Sequence, residues 1–499
     1  MTAKTLMVLG TMSSAGKSLL VTSLCRIFAR RGVRVAPFKS QNMSNNAAVC
    51  ADGSEIGRAQ YTQALACGVQ PSAKHNPILV KPEAASQSQI IVMGKPYTHL
   101  AARDYYHLKD ELWRIAAQAL DDLRGEYDLV IMEGAGSPVE LNLTRGDIVN
   151  MAVAAYANAP VLLAGDIDRG GIFAQLLGTL WLLEPGEREL VKGLIVNKFR
   201  GDIDLFYDGV EILEEKGGVP VVGVVPFVRH RIPEEDAVAI ESHNLAPSQD
   251  AGIDIVVIRL PTISNFDDFD PLIDEVGVRL RYAVSTGEVG RPAAIILPGS
   301  KSTMADLEFL RDTGLFEYIQ DYRKGGGAVV GICGGYQMLG VAISDPAAVE
   351  STQSSMPGLG LLPVTTIFQP EKATHQVQAV VRLGRGWLTG IQHTDITGYE
   401  IHMGVTQLHG AEPWLSIQQR SGEAVSVMDG AISEDGKVWG CYIHGIFANR
   451  DFRRAWLGYL GWRSQAGGEE VGLQEALDEL ADVMEESLDM AYIYGLLDL

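Results

Sequence analysis

The string Gly10-Thr-Met-Ser-Ser-Ala-Gly16-Lys17-Ser18 stands between an apolar run, Thr5 to Leu9, and the apolar-periodic segment Leu19 to Ala29. A strand that turns on glycines straight into a helix belongs to a parallel α/β sheet, and its loop lies at the carboxyl edge of that sheet. The loop directs backbone N–H groups toward phosphate oxygens at the helix N-terminus. Gly10, Thr11, Ser14, Ala15 and Gly16 form the cradle, Lys17 adds a point charge, and the Ser18 hydroxyl is a candidate Mg²⁺ ligand. Five residues rather than four separate Gly10 from Gly16, a departure from the standard spacing.

The same rhythm continues. Val33–Pro37, Leu129–Glu133, Val161–Gly165, Gly193–Asn197 and Val221–Val225 are short apolar runs bounded by Gly, Pro or Asp, with helix-length spacers, the pattern of a sheet covered on both faces. Between Pro226 and Asp254 the periodicity fades into a stretch with Pro233, Asn244, Pro247, Ser248 and Gly252, which reads as a linker. A second α/β rhythm runs through Ile253–Leu260, Ala293–Leu297, Ala328–Ile332 and Val438–Ile443, while Gly358 to Gly440 is richer in Thr, Gln and Gly and suits antiparallel strands. A chain of 499 residues exceeds what one core serves. The expected division is 1–246, a three-layer P-loop domain; 247–455, a second α/β domain; and 456–499, a helical segment packing on the second domain.

With 41 basic and 62 acidic residues, the net charge of -21 argues against a broad nucleic-acid surface. Cys25, Cys50, Cys67, Cys333 and Cys441 form no C-x-x-C pair, so neither a disulfide framework nor a zinc ribbon is indicated. Met1 to Lys4 lead straight into the apolar run, so no signal peptide is expected, and no uninterrupted 18-residue apolar stretch is present. The expectation is a cytoplasmic protein without membrane or nucleic-acid partners, a monomer or homodimer.

Glu133 ends a strand beside the loop, where a second metal partner is needed, and Asp166 and Asp168 end the next one. Asn197 follows a further strand and is a candidate for reading the adenine edge. Amides and isolated cations, Lys39, Gln41, Asn42, Asn45, Arg58 and Lys81, suit a polar ligand carrying carboxylates or carboxamides. Stretches of this kind also simply make turns. A second site centres on Gly331-Ile-Cys333-Gly334-Gly335, a nucleophile elbow after an apolar strand. Its glycines permit a strained turn, the helix N-terminus favours a thiolate, and nearby N–H groups can hold an oxyanion. His444, also at a strand end, is the candidate base. Cys25, Cys50 and Cys67 read as buried structural residues. Tyr399 and Glu400 read as lining the site, near His402.

Several strings match a known family: Lys39-Ser-Gln-Asn-Met-Ser-Asn-Asn46, Glu133-Gly-Ala-Gly-Ser-Pro138, Gly165-Asp-Ile-Asp-Arg-Gly-Gly171, Asn197-Lys-Phe-Arg-Gly-Asp202, Pro298-Gly-Ser-Lys301 and Gly331-Ile-Cys-Gly-Gly-Tyr-Gln-Met-Leu-Gly340. Over nearly its whole length the chain resembles the cobyric acid synthase family, in which a dethiobiotin-synthetase-like domain is fused to a flavodoxin-like class I glutamine amidotransferase domain. The resemblance implies ATP- and glutamine-dependent amidation of the b, d, e and g carboxylates of adenosylcobyrinic acid a,c-diamide. It implies that Cys333 attacks glutamine, His444 moves the proton, the backbone at Gly299 and Gly334 holds the oxyanion, and Gln337 helps bind glutamine. Lys17, Ser18 and Glu133 would hold MgATP, and Lys39 would stabilise developing charge.

Many class I amidotransferases carry Glu two residues after the histidine; here that position is Ile446. A Cys333–His444 dyad is the simpler expectation, with a carboxylate from elsewhere left open. The nearest rival is cobyrinic acid a,c-diamide synthase, which differs in its target carboxylates. A rival of another class, a partitioning-type P-loop ATPase, usually carries a lysine where this chain has Met12 and Ser13, and has no use for Cys333.

Overall fold

The computed structural model describes residues 2–83, 87–101, 104–142, 146–235, 252–463 and 472–499. The apolar runs of the first half form one six-stranded sheet in the order Val221–Pro226, Val191–Phe199, Val161–Asp166, Lys4–Gly10, Leu129–Glu133, Val35–Phe38. Every pairing in it is parallel. Helices cover both faces, which is why Leu129–Glu133 is buried at every residue instead of alternating. The strand ends Gly10, Glu133 and Asp166 thereby share one edge.

The second sheet runs Val278–Ala283, Ile253–Ile258, Ala294–Leu297, Ala328–Ile332, Val438–Cys441, Ala431–Ile432, parallel except for its last strand. The Thr- and Gln-rich section forms the expected antiparallel strands, with Val364–Val381 between Asp395–Leu408 and Leu415–Arg420. The boundary expected at 246/247 lies outside the described residues.

Two features differ from the sequence expectation. The amide-rich stretch contributes to a four-stranded sheet, Gln41–Met43, Ile78–Pro82, Gln87–Val92 and Lys95–Ala101, whose strands are too short and polar to stand out by periodicity. Beside it Ala47, Val49, Leu79 and Ile91 pack on Tyr399 and Ile401, joining the two domains. The tail also divides. Phe452, Trp456 and Leu457 pack in the core of the second domain. Helices Leu473–Ser487 and Met490–Leu497 instead dock on the first domain, where Leu477, Leu480, Met484 and Ile493 meet Leu20, Leu24 and Phe28 of α1 (Lys17–Arg30).

Chain proximity favours the second domain for this tail, but α1 offers both an apolar face and a matching row of cations. Arg26 makes two bonds to Asp478 (2.7 and 2.8 Å), Arg30 reaches Asp482, and Arg31 reaches Glu485. Exposed ion pairs contribute about 0–1 kcal/mol each, whereas burying a Leu or Ile side chain contributes about 1.5–3 kcal/mol. The apolar seam therefore supplies the stability and the ion pairs set the register. Leu480→Ala is expected to cost about 2–5 kcal/mol. Hydrogen exchange should show faster α1 amides, with the sheet Ile253–Ile258 to Val438–Cys441 unchanged.

Candidate active sites

Gly16 caps α1 in a left-handed conformation with φ 91°, and a Cβ there would lie 2.1 Å from Asn197 Nδ2. Only glycine lets the loop lie this close to the neighbouring strand. Asn197, expected to read the adenine edge, lines the cavity beside the loop; its Nδ2 donates to Ala15 O (2.8 Å) and its Oδ1 accepts from Lys198 N, so it braces the loop. Thr11 Oγ1 donates to Gln175 Oε1, and Lys198 Nζ donates to Ser14 O and Asp166 Oδ2, bracing the loop from the next strand. Lys17 Nζ donates to Met12 O and Gly136 O. Asp168 pairs with Arg200.

Below the loop, Ser18 Oγ lies 2.8 Å from Glu133 Oε1 and 2.6 Å from Glu235 Oε2. Lys39 Nζ donates to both carboxylates at 2.8 Å. Burial works against the Lys39 charge, but the two glutamates outweigh it and hold its proton affinity above the ordinary lysine range. Glu235 was missed because it lies in the stretch that reads as linker. Gln63 was missed as one helical amide among several, and it donates to Glu133 Oε2 at 2.6 Å. Among the described residues no group of three or more His, Cys, Asp or Glu forms a metal cage. Two carboxylates and a hydroxyl beside a phosphate loop are the hard-oxygen set that suits Mg²⁺, which takes few protein ligands and fills its shell with phosphate and water.

This centre opens into a cavity of about 1130 Å³. From the loop it extends past Lys39, Gln41 and Asn42 to an apolar wall that includes Ile90, Leu100 and Ile148. Gln41 accepts from the Tyr105 hydroxyl and Asn42 Nδ2 donates to Gln60 Oε1. Asn45 Oδ1 is buried without a partner, away from the cavity wall. Arg58 and Lys81, grouped with these from sequence, also lie elsewhere: Lys81 is buried against Glu55 at 2.7 Å, with Lys372 on the same carboxylate, and Arg58 pairs with Asp267. Both cations needed a buried counter-charge, and it is supplied at the domain interface.

In the second domain Cys333 occupies the turn between Ala328–Ile332 and the helix Gly334–Leu339 with φ 51°. For a non-glycine residue this stores about 1–3 kcal/mol of strain. A Cβ on Gly331 would meet Gly335 O at 2.5 Å, and one on Gly335 would meet Leu297 O at 2.0 Å, so the elbow requires glycine at both positions. The backbone at Gly299 and Gly334 converges beside Cys333, since a Gly334 Cβ would lie 2.9 Å from Ser300 N and a Gly299 Cβ 3.0 Å from His444 Cε1. Gln337 is buried, accepting from Thr303 Oγ1 and donating to the Tyr442 hydroxyl.

His444 Nδ1 lies 2.6 Å from Asp268 Oδ2, and the other oxygen of Asp268 accepts from Gly445 N at 2.8 Å. Asp268 thereby fills the place the sequence left open for a carboxylate beside Cys333 and His444. The acid comes from the short turn Phe266–Phe269, far from the usual position, where Ile446 is packed in the core. The signal available in sequence was the acidic cluster Asp267-Asp268-Phe-Asp270 in an otherwise apolar segment. Burial opposes a charged His444, yet Asp268 and then Cys333 more than compensate, and its pKa is pushed up to about 10. Tyr399 lines this site, its ring stacked on His444 at 5.2 Å, while Glu400 turns to Arg420.

A phosphate-cradling P-loop domain and a Cys–His–Asp elbow on one chain define a nucleotide-binding domain joined to a glutamine amidotransferase. Family models agree: residues 6–237 match the CobQ/CobB/MinD/ParA nucleotide binding domain, and 254–452 match the CobB/CobQ-like glutamine amidotransferase domain. The chain is 56% identical to a cobyric acid synthase of Chloroflexus aggregans (98% of this chain, 97% of the relative). It is 54% identical to one of Herpetosiphon aurantiacus (98% and 97%) and 53% identical to one of Roseiflexus castenholzii (100% of both). Among solved structures, a glutamine amidotransferase aligns with a TM-score of 0.29 and 18% identity, over 42% of this chain and 99% of that one. The chain belongs to the cobyric acid synthase family and is a glutamine-dependent amidoligase. Among the described residues no helix is long and apolar enough to cross a membrane.

The Asp268 contact yields a pH test. A histidine raised to about 10 stays imidazolium throughout the neutral range and loses its charge only as pH rises through that value. In Asp268→Asn the strongest influence raising the imidazole is lost, so the pKa of His444 should fall from that value. A pH titration of the His444 ring, followed by NMR of isotope-labelled histidine from pH 5 to 11, should have its midpoint near 10 in the wild type and at a lower pH in that variant.

Proposed function

We propose that the chain converts adenosylcobyrinic acid a,c-diamide to adenosylcobyric acid by amidating the b, d, e and g carboxylates, with ATP and glutamine as co-substrates. The observation that carries this reading is the pairing, on one chain, of the Cys333–His444–Asp268 site with the Ser18–Glu133–Glu235–Lys39 centre at a large cavity. The relatives' shared name, cobyric acid synthase, supports cobyric acid as the product, and the a,c-diamide substrate is what the family resemblance implies.

Cys333 attacks the glutamine carboxamide carbon, His444 delivers a proton to the departing ammonia, and water then releases glutamate from the thioester. Backbone N–H groups at Gly299 and Gly334 stabilise the oxyanion, and Asp268 holds the imidazole in the tautomer this requires. In the other domain the P-loop and Lys17 orient ATP so that a corrinoid carboxylate attacks its γ-phosphorus. The products are ADP and an acyl phosphate, which ammonia opens to the amide with release of phosphate. Mg²⁺, held by Ser18 and Glu133, would supply charge neutralisation at the phosphates. Lys39, freed from its glutamates, is then the cation nearest the developing charge. The apolar wall suits a macrocycle with peripheral carboxylates better than a small polar acceptor.

Purified protein given MgATP, glutamine and adenosylcobyrinic acid a,c-diamide should gain four amides by mass spectrometry. Cys333→Ala should do so only with ammonium salts. Amidation of the a and c positions of cobyrinic acid would move the assignment to cobyrinic acid a,c-diamide synthase. Glu133→Gln should slow the reaction on the order of 100-fold with either nitrogen source, since the lost group serves the phosphates and not glutamine.

A further inference from the structure

We propose that Arg58, a residue of the nucleotide-binding domain, is a positioning residue for the glutaminase histidine, so that the amidotransferase site is completed only across the domain interface; this rests on the amidoligase reading above. Arg58 is the first residue of α2 (Arg58–Ala66). A cation there opposes the helix macrodipole, and burying it adds a desolvation cost, so it does not serve α2 itself. Its partners lie in the other domain. Arg58 Nε is 2.9 Å from Asp267 Oδ2, its terminal nitrogen donates to the Tyr399 hydroxyl, and the guanidinium carbon sits 5.1 Å from the centre of the Tyr399 ring.

Both partners touch His444 or its orienting acid. Tyr399 stacks on the imidazole face, and the two residues exchange backbone bonds, Tyr399 N to His444 O (3.2 Å) and His444 N to Tyr399 O (2.9 Å). Asp267 adjoins Asp268, the carboxylate on His444 Nδ1. Asn265, two residues before Asp267, donates to the same Tyr399 hydroxyl and to Ala47 O of the first domain, at 2.7 Å each. Burial and the neighbouring Asp268 both push the Asp267 carboxyl up, and Arg58, more than His444, opposes them. Arg58 therefore pins the imidazole from its face through Tyr399 and from its edge through the turn that carries Asp268.

The discriminating variant is Arg58→Met with Asp267→Asn, which removes the pair without stranding either charge; Tyr399→Phe removes the shared hydroxyl and keeps the ring. In both, the glutaminase kcat should fall about tenfold or more, as small misplacements of a reacting group do. The KM for glutamine and the rate of ammonium-dependent amidation should stay within about twofold of wild type, because Arg58 touches neither substrate. Wild-type glutaminase activity in the double variant would overturn the proposal and reduce the pair to a structural contact. Equal loss with both nitrogen sources and a raised KM for the corrinoid would also overturn it, returning Arg58 to the substrate. If the wild type amidates nothing from ammonium, the amidoligase reading fails first, and the comparison of glutaminase kcat values still tests the positioning role.

Discussion

A charge taken out of water must be neutralised inside the protein, and this constraint ties together segments that are distant in sequence. Lys39 is buried between Glu133 and Glu235, Lys81 and Lys372 share Glu55, Arg58 faces Asp267, and His444 faces Asp268. Left unpaired, any of these groups would cost several kcal/mol or change its protonation state. The pairs at Glu55 and Asp267 cross the domain interface, so the two domains are held by charge matching as well as by the apolar contact of Val49 and Leu79 with Tyr399 and Ile401.

The same constraint separates the roles proposed for these cations. In the proposed mechanism Lys39 and His444 each face groups that a substrate can replace or engage: phosphates for the glutamates that now hold Lys39, and the glutamine carboxamide at Cys333. Lys81 has no such exchange available, being enclosed with Glu55 away from the cavity. Glycine performs the complementary task for the backbone. At Gly16, Gly331 and Gly335 a Cβ would collide with neighbouring atoms, so both sites depend on chain segments approaching more closely than any side chain allows.

Much of each site was legible in the residues. The strand-loop-helix order identified Gly16, Lys17 and Ser18, and the glycine-flanked Cys333 after an apolar strand identified the elbow, because such sites are local in sequence and carry their own backbone requirements. Glu133 was legible as a strand end. Asp268, Glu235 and Gln63 were not: each reaches its partner from a separate segment, and no spacing rule links residues that meet only after two elements dock. The substrate contacts first expected of Arg58 and Lys81 illustrate the converse, since residue type showed polarity but not its direction.

What the sequence by itself determined was the succession of strands and helices, the two glycine turns and the cysteine set on the second of them, all set by periodicity and φ requirements within a dozen residues. Only the tertiary structure decided which acid orients His444, which glutamates hold Lys39, and that the helices Leu473–Ser487 and Met490–Leu497 cover α1 rather than the domain that precedes them. Those choices compare the packing and charge of surfaces brought together from across the chain, and that comparison exists only once the sheets have formed.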